Sequence, residues 1–298
     1  MNNQITAQNY AAQAAKSLSS NIGEFADKDY IKSLVTSLRS AQHFVLPDGG
    51  TIFDDKCKGL IGEEIYLPFP SITIEYFVKD TNLATLENSK IEVRKRLSIV
   101  MDTDRLGKNG TKTPSILILP LACVNNRWVP YAFSIVIEKT WDRIKSTEVN
   151  TFAVTGRTEL VMEELINKME KEGKISKDQI KGLEEDALNE VVPVLELLEA
   201  LTCKNIKPTV FQEASKANPK RERQGKAPIW ETKILMVDTT STKERISVGT
   251  KIEGRKSPSE HLRRGHPRRL ANGTKIWINN TIVGNPDNGK TNKDYRIR

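Results

Sequence analysis

The chain has 298 residues, 38% of them hydrophobic, a mean hydropathy of −0.47 and a formal charge of +8. That is enough for one large domain or two smaller ones with an adequate core, and no apolar run reaches the roughly 20 residues a membrane-spanning helix needs. The charge is uneven: residues 216–298 hold 20 Lys and Arg against 8 Asp and Glu, while residues 1–215 hold 26 against 30, which directs attention to a polyanionic partner for the last 83 residues.

The opening MNNQITAQNY has no positive patch followed by an apolar run, so no secretory signal is expected. Cys57, Cys123 and Cys203 are far apart and odd in number, as reduced thiols of a cytoplasmic protein are. Residues 1–22, rich in Ala, Ser and Gln, are expected to be partly helical. Asp27 or Asp29 caps a second helix expected to run to about Phe44, with Ile31, Leu34, Val35, Leu38 and Ala41 on one face. His43, near its end, reads as structural.

Strands follow. Leu67–Val78 is entered through two prolines, and Ile91–Met101 alternates in part. Ser115–Val124 is nearly all apolar, as a central strand is. Arg127–Glu138 reads as one strand paired to it through the Asn125-Asn126 turn. Glu63, Glu64, Glu75, Asp102 and Asp104 read as solvated carboxylates. The loop Asp104–Thr113 lacks the G-x-x-x-x-G-K-[ST] spacing of a phosphate loop. No G-x-G-x-x-G, G-x-S-x-G or H-E-x-x-H occurs, and neither a metal nor a cofactor is expected.

Thr158–Glu172 reads as a helix ending at Gly173, and Ser176–Gln179 as a capping box opening a longer helix kinked at Pro193. The two form a hairpin over about 158–203 that covers one face of the sheet. Asn218–Ala227 reads as a basic loop and Pro228–Val237 as a strand. Asp238–Lys256 reads as an exposed linker or long hairpin, Gly284–Lys293 as a turn, and Lys293–Arg298 as a closing strand. The expected fold class is α+β: a mostly antiparallel β-sheet (about 65–140) with a packed helical hairpin, an N-terminal helix and a basic C-terminal β-ribbon module. The expected division is a core of residues 1–215 and a basic β-rich module of residues 216–298 packed on it.

The chemistry concentrates in Lys256–Val283. Ser257-Pro258 marks a turn. Gly265 ends any helical turn begun near Ser259, and Pro267 blocks its resumption. This places His261 and His266 on a constrained loop. Asn272-Gly273 signals a type I′ hairpin between Arg268–Leu270 and Thr274–Ile278.

Arg263, Arg264, Arg268, Arg269 and Lys275 suit phosphate contacts, and Trp277 suits base stacking or core packing. Lys220, Arg221, Arg223 and Lys226 add a second basic run. His261 and His266 with Arg264 also supply an acid, a base and a charge stabiliser, the equipment of metal-independent RNA cleavage. No Cys-x-x-Cys accompanies them, which argues against zinc.

Ala200–Ile206 (ALTCKNI), Asn218–Trp230 (NPKRERQGKAPIW) and above all Ser257–Trp277 (SPSEHLRRGHPRRLANGTKIW), with Val283-Gly284 and Lys293–Tyr295, resemble a family of uncharacterised proteins encoded by bacteriophages and prophages. Leu67–Pro70 fits more weakly, and Pro267 stands where relatives are expected to carry a larger apolar residue. The resemblance covers roughly the last third of the chain. It implies a phage origin and the host-cell cytoplasm, not a mechanism. The expected function is therefore a phage accessory protein binding nucleic acid, RNA or DNA, through its basic C-terminal module. The alternatives are a ribonuclease using the His261/His266 pair and an inhibitor of an acidic host protein, such as a defence factor. A homo-oligomer is compatible with the sequence, and no membrane partner is expected.

Overall fold

A computed structural model describes residues 5–52, 67–79, 93–106, 112–138, 156–160, 163–237, 259–263, 266–278, 281–283 and 285–290. Helix α1 (Tyr10–Ser20) is Ala-rich and is followed by a 3-10 turn at Ile22–Glu24. Helix α2 (Lys28–Ser40) is capped by Asp27, whose carboxylate accepts the Tyr30 N–H at 2.8 Å. It stops at Ser40 rather than near Phe44, because Gln42–Val45 forms strand β1. Pairing with two other strands outweighs local helical periodicity there.

Strands β2 (Ser71–Phe77), β3 (Lys95–Leu106) and β4 (Lys112–Val124) pair antiparallel in sequence. The segment Arg127–Glu138 is two strands, β5 (Arg127–Pro130) and β6 (Phe133–Glu138), not one. Both pair with β4, and the register slips by two residues between them, at Tyr131-Ala132. Pro130 lacks the N–H a regular ladder would use, and the Tyr131 N–H donates to Pro120 O at 3.0 Å instead. Asn125 and Asn126 do form the expected turn, with φ of 50° and 62°.

Thr158–Leu160 lies in strand β7 (Gly156–Leu160), paired with β6, so the first helix of the hairpin is only Glu163–Lys171, α3. The long helix is two helices, α4 (Lys177–Leu188) and α5 (Val191–Leu201), broken at Asn189-Glu190. Pro193 explains the break, since its ring would clash with the carbonyl four residues back in a continuous helix. The capping box at Ser176 is present in full, with Gln179.

Strand β8 (Ile206–Gln212) leads to α6 (Asn218–Arg223) and β9 (Thr232–Val237). Helix α6 replaces the expected basic loop: Pro219 sits in its first turn and Gly225, at φ 66°, closes it.

The main sheet runs β7-β6-β4-β3-β2-β1-β9-β8, with β5 also on β4. It is mostly antiparallel, and β1 is parallel to both neighbours. Helices cover both faces. Alternation along the strands sends Ile72, Ile74, Val100, Ile116 and Ile118 to α4 and α5, and Leu97, Ile99, Leu119 and Leu121 to α1 and α2. Strands β8 and β9 pair with each other across residue 215, and β9 also pairs with β1.

The last third adds β10 (Ser259–Arg263), β11 (His266–Arg269), β12 (Lys275–Ile278), β13 (Thr281–Val283) and β14 (Asn285–Lys290). They form a three-stranded sheet β13-β10-β14 and a ribbon β11-β12. The ribbon turn is not a two-residue I′ loop. The Gly273 N–H donates to Leu270 O, Gly273 has φ 83° and Leu270 pairs with Thr274, the geometry of a type I turn followed by a bulge. The expected turn at residues 284–293 is strand β14 over 285–290. Residues 238–256 and 293–298 lie outside the described residues.

Candidate nucleic-acid interface

The two histidines lie on strands, not on a loop. His261 in β10 is opposite Val283 of β13, and His266 in β11 is opposite Ile278 of β12. Paired partners are available to both segments, so the local turn signals at Gly265 and Pro267 do not dominate. Arg263 lies at the end of β10, opposite Thr281. Arg264 lies outside the described residues.

The remaining sequence-predicted cations separate into two kinds. Arg268 and Arg269 on β11, and Lys220, Arg223 and Lys226 in and after α6, are exposed, and among the described residues no carboxylate forms an ion pair with any of them. Arg221 is half-buried and its Nε donates to Ala227 O at 3.0 Å, tying the segment after α6 back onto the helix. Lys275 is engaged elsewhere: its ammonium donates to both oxygens of Glu199 on α5, each at 2.8 Å, with 15% of the Lys275 side chain and 4% of that of Glu199 exposed. Trp277 packs beside Ala200, Cys203 and Ile206. The Asn205 amide clamps the Trp277 backbone, donating to its carbonyl (2.7 Å) and accepting from its N–H (2.6 Å). These contacts seat the ribbon at the start of β8, whereas α6 follows its end. The seven residues of β8 lie between the two points of attachment in the chain.

A second basic feature lies on the α1/α2 side of the sheet. A groove of about 560 Å³ runs between α1, the end of α2 and residues 222–230. Pro228 and Trp230 supply its accessible apolar surface beside the buried Ala12 and Ala15, and Lys16, Arg39 and Lys226 supply three positive charges against the one carboxylate of Glu222. Among the described residues none of the three cations is ion-paired.

The groove is rigidly built. Residues 228–230 are held by two asparagine amides. Asn218 bonds both the N–H and the carbonyl of Ile229, at 2.9 Å each. Asn9 donates to Pro228 O (2.7 Å) and accepts from the Trp230 N–H (3.2 Å). These are the bonds that neighbouring strands would otherwise supply. Asn9 adopts a left-handed φ of 56° and makes no side-chain cap to α1. The cap comes instead from Glu75 on β2, whose two oxygens accept the Tyr10 and Ala11 N–H at 2.8 Å. Burial pushes the Glu75 carboxyl up to about 7 despite those two bonds.

Trp230 stacks on His43, with ring centroids 5.1 Å apart and planes at 17°. His43 Nδ1 shares a 2.8 Å hydrogen bond with Thr73 Oγ1, and burial lowers the imidazole to about 4, so the ring is neutral at pH 7. This is the structural role the sequence assigned to His43. Lys16 and Arg39 were missed because charge was summed over residues 1–215 as one block, and Trp230 because it was read only as part of the strand Pro228–Val237. The positions 12, 15, 16 and 19 on one face of α1 were the available signal.

The α4/α5 side carries charge of a different kind. Arg96 makes two parallel 2.9 Å bonds to Asp186, and the Tyr131 hydroxyl donates to Asp186 at 2.6 Å. Tyr76 and Ser98 donate to the buried Glu190 at 2.9 Å, and Arg96 lies 3.6 Å from it. Burial raises Glu190, while the Arg96 guanidinium and the Tyr131 hydroxyl help hold Asp186 low against its own burial.

Among the described residues no group of three or more His, Cys, Asp or Glu is placed to hold a metal ion, and no helix is long and apolar enough to cross a membrane. Cys123 and Cys203 are free and buried, and Cys57 lies outside the described residues. Compared with known proteins, the chain matches no family model, and no curated protein and no solved structure is significantly similar to it.

Proposed function

We propose that this chain is a phage-encoded accessory protein of the host cytoplasm that binds nucleic acid through the basic surface of its last third. The observation that supports this reading is the set of exposed cations Lys220, Arg223, Lys226, Arg268 and Arg269, none of them ion-paired among the described residues. A cation already neutralised by a protein carboxylate gains little from a phosphate. An unpaired one releases a counterion from the nucleic acid and contributes to affinity. Lys275 and Trp277 serve this reading indirectly, by fastening the ribbon that carries Arg268 and Arg269.

The test is a gel-shift and cleavage assay on labelled RNA, single-stranded DNA and duplex DNA at two salt concentrations, with and without EDTA. The expected result is retention that weakens steeply with salt. R268A/R269A should flatten the log–log salt dependence by about 1.4–1.8, at roughly 0.7–0.9 per phosphate contact. No retention, or retention indifferent to salt, refutes the reading. Cleavage that survives EDTA and disappears in H261A/H266A would replace it with the ribonuclease reading. A nuclease-resistant capture of a host protein without any shift would replace it with the protein-inhibitor reading.

A further inference from the structure

We infer that the groove between α1, α2 and Trp230 binds one nucleoside monophosphate unit, its phosphate held by Lys16, Arg39 and Lys226 and its base lying against Trp230. The occupant's chemistry rests on the nucleic-acid reading above, but the site does not use the arginines of the ribbon. Three features of the groove define the ligand. Its volume of about 560 Å³ falls within the range of roughly 300–1,000 Å³ that small-ligand sites occupy. Its cations come from positions 16, 39 and 226, far apart in sequence, and converge without a carboxylate in ion-pair range among the described residues.

The third feature is the floor. Trp230 is fixed by the Asn9 bond to its N–H and by the stack on His43, so its indole is presented with little freedom left to lose on binding. Aromatic rings held in this way bind bases by stacking without demanding a sequence. Glu222 limits the anionic charge the groove accepts, which favours a single phosphate over a polyphosphate, and it offers an acceptor to an exocyclic amino group.

The same chemistry is offered by a free mononucleotide and by one unit of a single strand, and the experiment separates these sources. The full chain is titrated with AMP and UMP by calorimetry, and with labelled U10 and dT10 by fluorescence anisotropy, alongside K16A/R39A and W230F. Arg39 is exposed, Lys16 is half-buried and neither is ion-paired among the described residues, so K16A/R39A is expected to keep a melting temperature close to that of the wild type. It should weaken strand binding at least about tenfold and flatten its salt dependence by roughly 1.4.

Mononucleotide binding lost in K16A/R39A and reduced in W230F identifies the free nucleotide as a ligand. Strand binding alone, with the same loss, identifies the single strand. If mononucleotides do not bind and K16A/R39A holds the strands as tightly as wild type, the groove assignment is overturned. In that case a weakening in R268A/R269A shows that the nucleic-acid reading itself survives. If the wild-type chain retains neither strand nor mononucleotide, both fall.

Discussion

A buried cluster on one face of the sheet and a groove on the other handle charge in opposite ways. Under α4 and α5, cations are answered by carboxylates: Arg96 by Asp186 and Glu190, and Lys275 by Glu199. Over α1 and α2, Lys16, Arg39 and Lys226 are collected in one groove with no ion-pair partner among the described residues. Counting charge along the chain does not reveal this difference, since Arg96 and Arg39 both belong to the part with an acidic balance. What marks a candidate binding surface is positive charge that the fold concentrates and leaves unneutralised.

The contrast breaks most visibly at Arg96. R96A leaves the buried Glu190 and the half-buried Asp186 without their guanidinium, and removing one partner of a buried pair costs about 3–5 kcal/mol. Chemical denaturation should show a loss of that size, whereas K16A/R39A should leave the denaturation midpoint almost unmoved. Equal losses in the two variants would erase the distinction between the faces.

A smaller effect is expected at the ribbon. Lys275→Met removes a charge-assisted pair of hydrogen bonds at the edge of the core, worth about 1.5–3 kcal/mol. Stability should fall while the salt slope of nucleic-acid binding stays at its wild-type value. A flattened slope would return Lys275 to the phosphate-contacting set in which its sequence context placed it.

The smallest effect is one of pH. Glu75 is raised from 4.5 to about 7 in the fold, so its protonated form is favoured there. The stability it contributes is fully present below about pH 4.5 and is lost as pH rises through about 7. Relative to wild type, Glu75→Gln should show a flatter dependence of the denaturation midpoint between pH 5 and 8, the difference being on the order of 1–3 kcal/mol. Parallel profiles in the two proteins would mean that Glu75 does not titrate in this window.

Much of the fold was legible where local signals and tertiary pairing agree. The Asp27 cap, the Asn125-Asn126 turn, the Ser176 capping box and the apolar strand β4 are all set by residues within a few positions. Legibility failed where a distant partner decides. Phe44 and Thr158 sit in helical patterns yet pair as strands, and Tyr131-Ala132 interrupts a strand because β4 accepts two partners in succession. Helix α6 was the avoidable error, since Pro219 and Gly225 bracket it and the basic run between them is a good helix former.

The candidate site follows the same rule. The exposed cations of α6 and β11 were visible as composition. The engagement of Lys275 with Glu199 and the convergence of Lys16, Arg39 and Trp230 depend on pairings between residues tens to hundreds of positions apart.

The bonds from Asn9 to Pro228 and Trp230, and the seat of β9 between β1 and β8, also set a timetable for synthesis. Strand β1 must wait for about 190 further residues before β9 emerges, which at ribosomal rates of 5–20 residues per second is about 10–40 s. Over that interval α1 and α2 can dock on the first hairpins, but β1 has an open edge and His43 has no indole above it. A nascent chain halted at residue 215 would therefore hold that unfinished edge indefinitely, and would be the form most in need of a chaperone.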